Sequence, residues 1–426
     1  MLIPVQAAFT EEGLMRDFHV SKTVSILSIS FFIGGLGFGP LLIGPLSEVY
    51  GRNTVYRVSY SLFLVCNFPV AFAPNIAVHF VFRFITGFCG SAFLSVAGGS
   101  ITDMFDDETV ANPMAFYTIC PFIGPVLGPL IGGFVNQHLH WRWTYHILMI
   151  WTFTEFVALI LLVPETFVAA LRKEKAEKLR QFSGNQRYWA PLDHEVKDIA
   201  ESIAISCLKP FELLIYDRMA LLLDIWTSVV LGILYLSFQA FPYIFGHIHG
   251  FNMQETGMTF LGIGVGMLIA IFTQHLFNLM YHRAAEENKG IIPPETRLVM
   301  GEIGGILVPL SLYWIAFTTY SSVPWIVPII ASIPFGAGIY YVFTSTFTYL
   351  VTAYRPIAAS AMAANSAMRS SFAAAFPLFA GAMYGRLGTA GATALLAGIT
   401  TLLAPLPFVF RRVGARLRQD SRFAEH

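Results

Sequence analysis

The sequence predicts an all-α membrane protein, a bundle of eleven transmembrane helices divided five and six. Three observations carry that prediction. Of 426 residues, 55% are hydrophobic and 12% charged, whereas an ordinary soluble domain is about 25% charged. Mean hydropathy is +0.63. Apolar stretches of roughly 20 residues, enough to cross about 30 Å of hydrocarbon, recur from end to end. Strands of alternating polarity, the signature of the other fold that satisfies its backbone in lipid, are absent from the sequence.

The first five helices fall at Val24 to Leu46, Val55 to Ala73, Val78 to Ile101, Pro113 to Val135 and Trp143 to Val163. A polar segment from Glu165 to Arg218 interrupts the pattern. Six more follow at Met219 to Phe245, Gly257 to Met280, Val299 to Phe317, Trp325 to Leu350, Ile357 to Met383 and Gly391 to Phe410. The expected organisation is therefore an amino-terminal half at 1–164, a linker at 165–218, a carboxyl-terminal half at 219–411 and a tail at 412–426. The linker stretch Arg172 to Ala190 reads as basic and partly helical or disordered, and the tail after Arg411 as disordered near anionic lipid.

Short basic loops stay on the cytoplasmic side, so Lys and Arg set the orientation. With the Glu48 to Thr54 loop inside, twenty of the 26 basic residues fall on that side, among them Arg52, Arg57, Arg283, Lys289, Arg297, Arg355 and Arg411. Only Arg16, Lys22, Arg142 and Arg386 fall outside, and Arg83 and Arg369 lie within helices. Met1 to Lys22 is then extracellular, with no preceding helix to carry the chain across.

Formal net charge is zero, which gives nucleic acid no handle. Cys66, Cys89, Cys120 and Cys207 show no metal-ligand or redox spacing and read as reduced packing residues. No nucleotide loop, metal cluster or nucleophile motif is present, so an enzyme, a cofactor and a metal are all unexpected.

Specific chemistry appears in short motifs. The loop GPLSEVYGR, Gly44 to Arg52, with Glu48 and Gly51 inside it, the helix segment RFITGFCGS beginning at Arg83, and the run GPVLGPLIGG from Gly124 to Gly133 follow one another in order. They are joined by WRW at Trp141, PET at Pro164, GILYLSFQAFP from Gly232 to Pro242, and AASAMAANSAMRSSFAAAFPLF from Ala358 to Phe379. Together these motifs resemble the major facilitator superfamily, in particular the fungal twelve-helix drug:proton antiporters that export drugs, polyamines and toxins. The resemblance covers nearly the whole chain and implies two six-helix halves, so the first family helix is expected to be largely missing.

It also implies roles. Glu48 would sit against the positive end of a helix in the other half and pair with nearby arginines, latching one state. Asn53 stands where the family has a second basic residue, which weakens that latch. Arg83 matches the arginine implicated in proton coupling. Gly124, Pro125, Gly128 and Pro129 match the antiporter signature, whose Gly-Pro pairs bend the helix and clear one face for a close neighbour. Gln239 stands where the family commonly has Glu, which argues against a polyamine cargo.

Residue chemistry supplies the remaining candidates. An arginine inside a membrane helix costs at least ~2.5 kcal/mol to insert and either faces a cavity or snorkels to the interface. Gly87 and Ser91 follow Arg83 as a stripe of small residues suited to helix contact. Asn365 and Arg369, four apart, share a helix face and form a cavity lining or a clamp between helices. Asp224 lies nearly two turns into its helix and is a proton site or a structural pair. Glu155 reads as peripheral, and Glu302 as a residue favouring its helix dipole. Tyr235, Tyr340 and Phe372 are candidates for an apolar substrate wall.

The expected function is proton-coupled export of bulky apolar organic compounds by alternating access, with Arg83 and Asp224 coupling protons. The protein would be a monomer in the plasma membrane, with a small organic substrate, protons and lipid as partners. Uptake or export of a nutrient or polyamine, and a truncated fragment that does not transport, are the rival readings.

Overall fold

The structure is a computed structural model that describes residues 7–105, 111–185, 187–190, 199–287, 293–354 and 357–423. Within them, regular structure is helical throughout. After a 3₁₀ turn at Ala7–Thr10 the first helices are α1 (Glu11–Phe18), α2 (Lys22–Tyr50), α3 (Arg52–Ala71), α4 (Ile76–Gly90), α5 (Ala92–Met104), α6 (Ala111–His138) and α7 (Arg142–Leu162). The polar interlude holds α8 (Val168–Ser183) and α9 (Ile199–Tyr216). Beyond it come α10 (Arg218–Phe241), a π-helical turn at Pro242–Ile248, α11 (Met253–Thr259), α12 (Leu261–Glu287), α13 (Leu298–Ala316), α14 (Ile326–Ala353), α15 (Ala358–Leu403) and α16 (Leu406–Asp420).

Eight spans among the described residues are long and apolar enough to cross a membrane. Their starts carry the expected chemistry, because the first N–H groups of a helix lack partners and seek side-chain acceptors. Ser21 accepts from Val24 N at 3.4 Å, Asn75 from Val78 N at 2.9 Å, and Asn252 forms a reciprocal box with Glu255. Large apolar side chains such as Val65, Ile150, Phe272 and Leu402 are more than half exposed, as lipid-facing positions require.

Small residues set the closest helix contacts. A Cβ at Gly87 would lie 2.0 Å from the Phe32 carbonyl oxygen, so α2 and α4 meet along the stripe that begins there.

Three expectations need correction or refinement. The segment after Arg411 is helical rather than disordered: α16 runs to Asp420, held by Arg418 to Glu295 at 2.9 Å, Arg411 to Glu302 at 2.8 Å and Ser421 to Asp217 at 2.5 Å. Its low hydropathy reflects an amphipathic surface helix, which a hydropathy reading misses. The single helices expected over Val78 to Ile101 and Gly257 to Met280 are each divided, at Ser91 and at Phe260. The two final helices are separate, as expected, but no loop lies between them: the chain turns at the single residue Gly388, with φ 70° and ψ 174°. Lys289, Arg355 and the side chain of Glu48 lie outside the described residues.

Candidate functional site

A fully buried polar group forms where α10 packs on α15. Asp217 caps α10, its Oδ1 accepting from Met219 N and Ala220 N at 3.0 Å each. Asp224 follows seven residues later, about 10 Å along the helix axis. It is fully buried. Asn365 of α15 is also fully buried, and its Nδ2 donates to Asp224 Oδ1 and to Thr227 Oγ1, both at 2.8 Å. Asp224 Oδ2 and Asn365 Oδ1 have no hydrogen-bond partner among the described residues. An isolated carboxylate in such surroundings is expensive in its charged form.

One turn along α15, the Arg369 guanidinium stacks over the rings of Phe343 at 5.6 Å and Phe347 at 5.0 Å. Its Nε has no acceptor, and its charge acts on Asp224, Tyr117 and Tyr235. Of the two residues sharing this face, Asn365 meets Asp224 directly, whereas Arg369 rests on the Phe343 and Phe347 rings and acts on Asp224 only through its charge. Tyr235 packs edge-on against Phe238 at 5.2 Å, and Phe372 lies 5.7 Å from Phe376 on α15.

Other candidates lie elsewhere. Arg83 is fully buried, so it does not snorkel. Its Nε donates to Ser28 Oγ at 3.2 Å and Ser28 O at 3.3 Å, and its guanidinium rests against Phe32 at 4.9 Å and Tyr145 at 5.5 Å. Both terminal nitrogens lack hydrogen-bond partners. The site is enclosed by α2, α4 and α7 and does not join the Asp224 group. Tyr340 packs with Phe277 and Tyr281 and donates to Gln274 Oε1 at 3.3 Å, so it too stands apart. Gln239 lies fifteen residues beyond Asp224, about 22 Å along α10, where its Nε2 donates to Glu11. Glu155 accepts from Tyr60 and Trp151 near the lipid face, and Glu302 pairs with Arg411 rather than only favouring its helix dipole.

At the cytoplasmic end, Arg52 pairs with Asp103 at 3.1 Å and donates to Ser47 at 2.6 Å. Gly51 turns the chain with φ 88°, a conformation open to glycine, while a Cβ at Gly44 would meet nothing within 4 Å. Sequence reading missed Glu165. Its carboxylate accepts from the backbone N–H of Arg52 and Asn53 at 3.0 Å each and of Thr166 and Phe167 at 2.9 Å each. The PET motif was the available signal, but Arg52 and Asn53, the partners that tie it to α3, are more than 100 residues away in sequence.

At the outer end the Gly124 to Gly133 run meets α11. A Cβ on Gly133 would stand 2.6 Å from the Met253 carbonyl, and one on Gly257 2.4 Å from the Pro129 carbonyl. Gln137 accepts from Met253 N, and His138 meets Gln254, both at 3.1 Å. Ser30 donates to Ala374 O at 2.7 Å. The bonds from His138 to Gln254, from Met253 to Gln137 and from Gln239 to Glu11 join residues before 163 to residues after 218 at this end, and the Ser30–Ala374 bond joins them nearer mid-depth.

The Major Facilitator Superfamily profile matches residues 5–377. The chain is 49% identical to the efflux pump atB of Aspergillus terreus over 91% of its own length and 83% of that protein. It is 41% identical to the probable drug/proton antiporter YHK8 of Saccharomyces cerevisiae, covering 96% and 80% of the two chains. Among solved structures, the xylose transporter XylE of E. coli in a partially occluded inward-open conformation superposes with a TM-score of 0.64 at 16% identity, over 96% of this chain and 95% of that one. The human organic anion transporter MFSD10 gives 0.60 at 14%, over 95% and 97%.

Proposed function

The chain belongs to the major facilitator superfamily, and from that premise we propose that it exports bulky apolar organic compounds in exchange for protons by alternating access. It is a multi-pass membrane transporter rather than an enzyme; the proton coupling, the apolar cargo, the plasma membrane and the monomeric state are our reading. Two helical halves, 1–164 and 219–411, would rock about a cavity between them, joined by the linker 165–218. The observation that carries the reading is Asp224: a fully buried carboxylate with one oxygen held by Asn365 and the other free. Such a group would bind and release a proton as its access changes sides. The tight, small-residue seam between α6 and α11 keeps the outer side sealed during exchange. Relatives named as efflux pumps and a drug/proton antiporter support the direction.

The test is transport of rhodamine 6G into inside-out vesicles carrying the full chain. Uptake should depend on an imposed pH gradient and collapse when the gradient is dissipated. Asp224→Asn should lose gradient-driven uptake yet retain exchange of preloaded dye. Undiminished gradient-driven uptake by that variant would remove Asp224 from the mechanism.

A further inference from the structure

The closed outer end contains a second titratable group that the transport reading does not use. Glu11 opens α1, and 7% of it is exposed. Its carboxylate accepts from Gln239 Nε2 on α10, a contact between residues 228 positions apart. It therefore ties the outer end of one set of helices to the outer end of the other, beside the Gly133 and Gly257 seam.

We propose that Glu11 is a proton-binding latch: protonated, it holds the outer face shut against α10, and deprotonated, it favours opening to the outside.

The surroundings fit this assignment. Lys22 at the start of α2 and Glu12 on its own helix are the charged groups that act on Glu11. The other titratable groups nearby have partners of their own. Asp17 accepts from Trp141 Nε1 at 2.9 Å and stands 3.6 Å from Arg142 and 3.8 Å from His140. His138 on α6 is bonded to Gln254, His79 on α4 to Ser28, and Tyr145 on α7 touches Thr10 at 3.4 Å. Arg16 is exposed, Arg83 lies in its own enclosure, and α10 contributes the neutral Gln239 and Tyr235. Burial pushes the Glu11 carboxyl up from 4.5 to about 7, with Lys22 and Gln239 opposing. Opening would return it to water and to the ordinary carboxylate range.

The sign follows from linkage. Because the closed form binds the proton more tightly, the closed-to-open ratio falls about tenfold per pH unit as pH rises from about 4.5 to about 7, and is flat outside that window. The full swing is about three hundredfold. Closure of the outer face thus takes a proton from outside, which is the useful direction if, as proposed above, export is driven by inward proton flow. That benefit rests on the exporter reading, whereas the latch itself does not.

The test uses the full chain in liposomes, with its four cysteines replaced by serine and spin labels at Ala77→Cys and Ser322→Cys on the outer surface. Distances are measured from pH 5 to 8 without substrate or gradient. The short-distance population should decline across this range in the parent. Glu11→Gln should stay closed and lose the pH dependence. Gln239→Glu, which adds a second carboxyl, should move the midpoint to higher pH. If Glu11→Gln tracks the parent, the latch is refuted. Should Glu11→Gln not fold, an unshifted midpoint in Gln239→Glu refutes it instead. Either refutation leaves gradient-driven dye transport intact, while loss of that transport with a flat Glu11→Gln profile would sink the exporter reading and spare the latch.

Discussion

Asn365 donates a 2.8 Å hydrogen bond to Asp224 across the contact between α10 and α15, and neither residue is exposed. The bond couples the polar centre of the site to the packing of two of its principal helices. Asn365→Ala should strip Asp224 of that partner and cost roughly 1–3 kcal/mol. In an Asp224→Asn background the same substitution should cost less, because no charge then depends on the amide. Thermal unfolding of the four proteins in a double-mutant cycle gives the coupling directly, and additivity would show that the two residues act independently.

Gly257 leaves no room for a side chain, since a Cβ there would approach the Pro129 carbonyl to 2.4 Å. Gly257→Leu should force α6 and α11 apart at a cost of about 1–3 kcal/mol or more. The expected result is an outer face that no longer seals, read as faster labelling of a cysteine placed at Gln137 and as passive leak of dye from loaded vesicles.

Glu165 holds the start of α3 by accepting from two of its unpaired N–H groups, at Arg52 and Asn53. Glu165→Ala should lower stability by about 1 kcal/mol, the usual cost of losing a helix cap. Amide exchange should quicken in the first turn of α3 and leave the middle of the helix unchanged. Glu165→Gln should recover part of the protection, because the amide oxygen still accepts.

Arg418 and Glu295, with side chains 16% and 11% exposed, fasten α16 beneath the bundle through bonds at 2.9 and 3.2 Å. Partly buried and bidentate, this pair is stronger than an ordinary surface ion pair. Arg418→Ala should release the helix. Limited trypsin digestion would then cut at Arg411 and Arg412 well before it cuts the parent protein there.

How far these features could be read in advance depended on the distance over which their cause acts. Spans were legible because twenty apolar residues in a row announce themselves, and the Gly87 stripe because helical spacing alone decides which residues share a face. Asn365 and Arg369 were legible for the same reason. Arg83 was legible as a buried cation but not in its surroundings, since Ser28 and Tyr145 reach it from α2 and α7. Tyr340 shows the limit from another side: an aromatic on a buried helix has several faces available, and the packing of α12 and α14 chose one away from Asp224. Glu11 meeting Gln239 depends on the whole bundle closing, and no local pattern encodes it. The α16 helix escaped because half its surface is meant for water.

The isolation of Arg83 also bears on how the chain is made. Its cation is accommodated by the rings of Phe32 and Tyr145, and Tyr145 is synthesised 62 residues after it. Until then only Ser28 and Phe32 of α2 are there to screen the guanidinium of α4, whose exposure to lipid costs a few kcal/mol. The enclosure of this cation is accordingly complete only when α7 has joined α2 and α4.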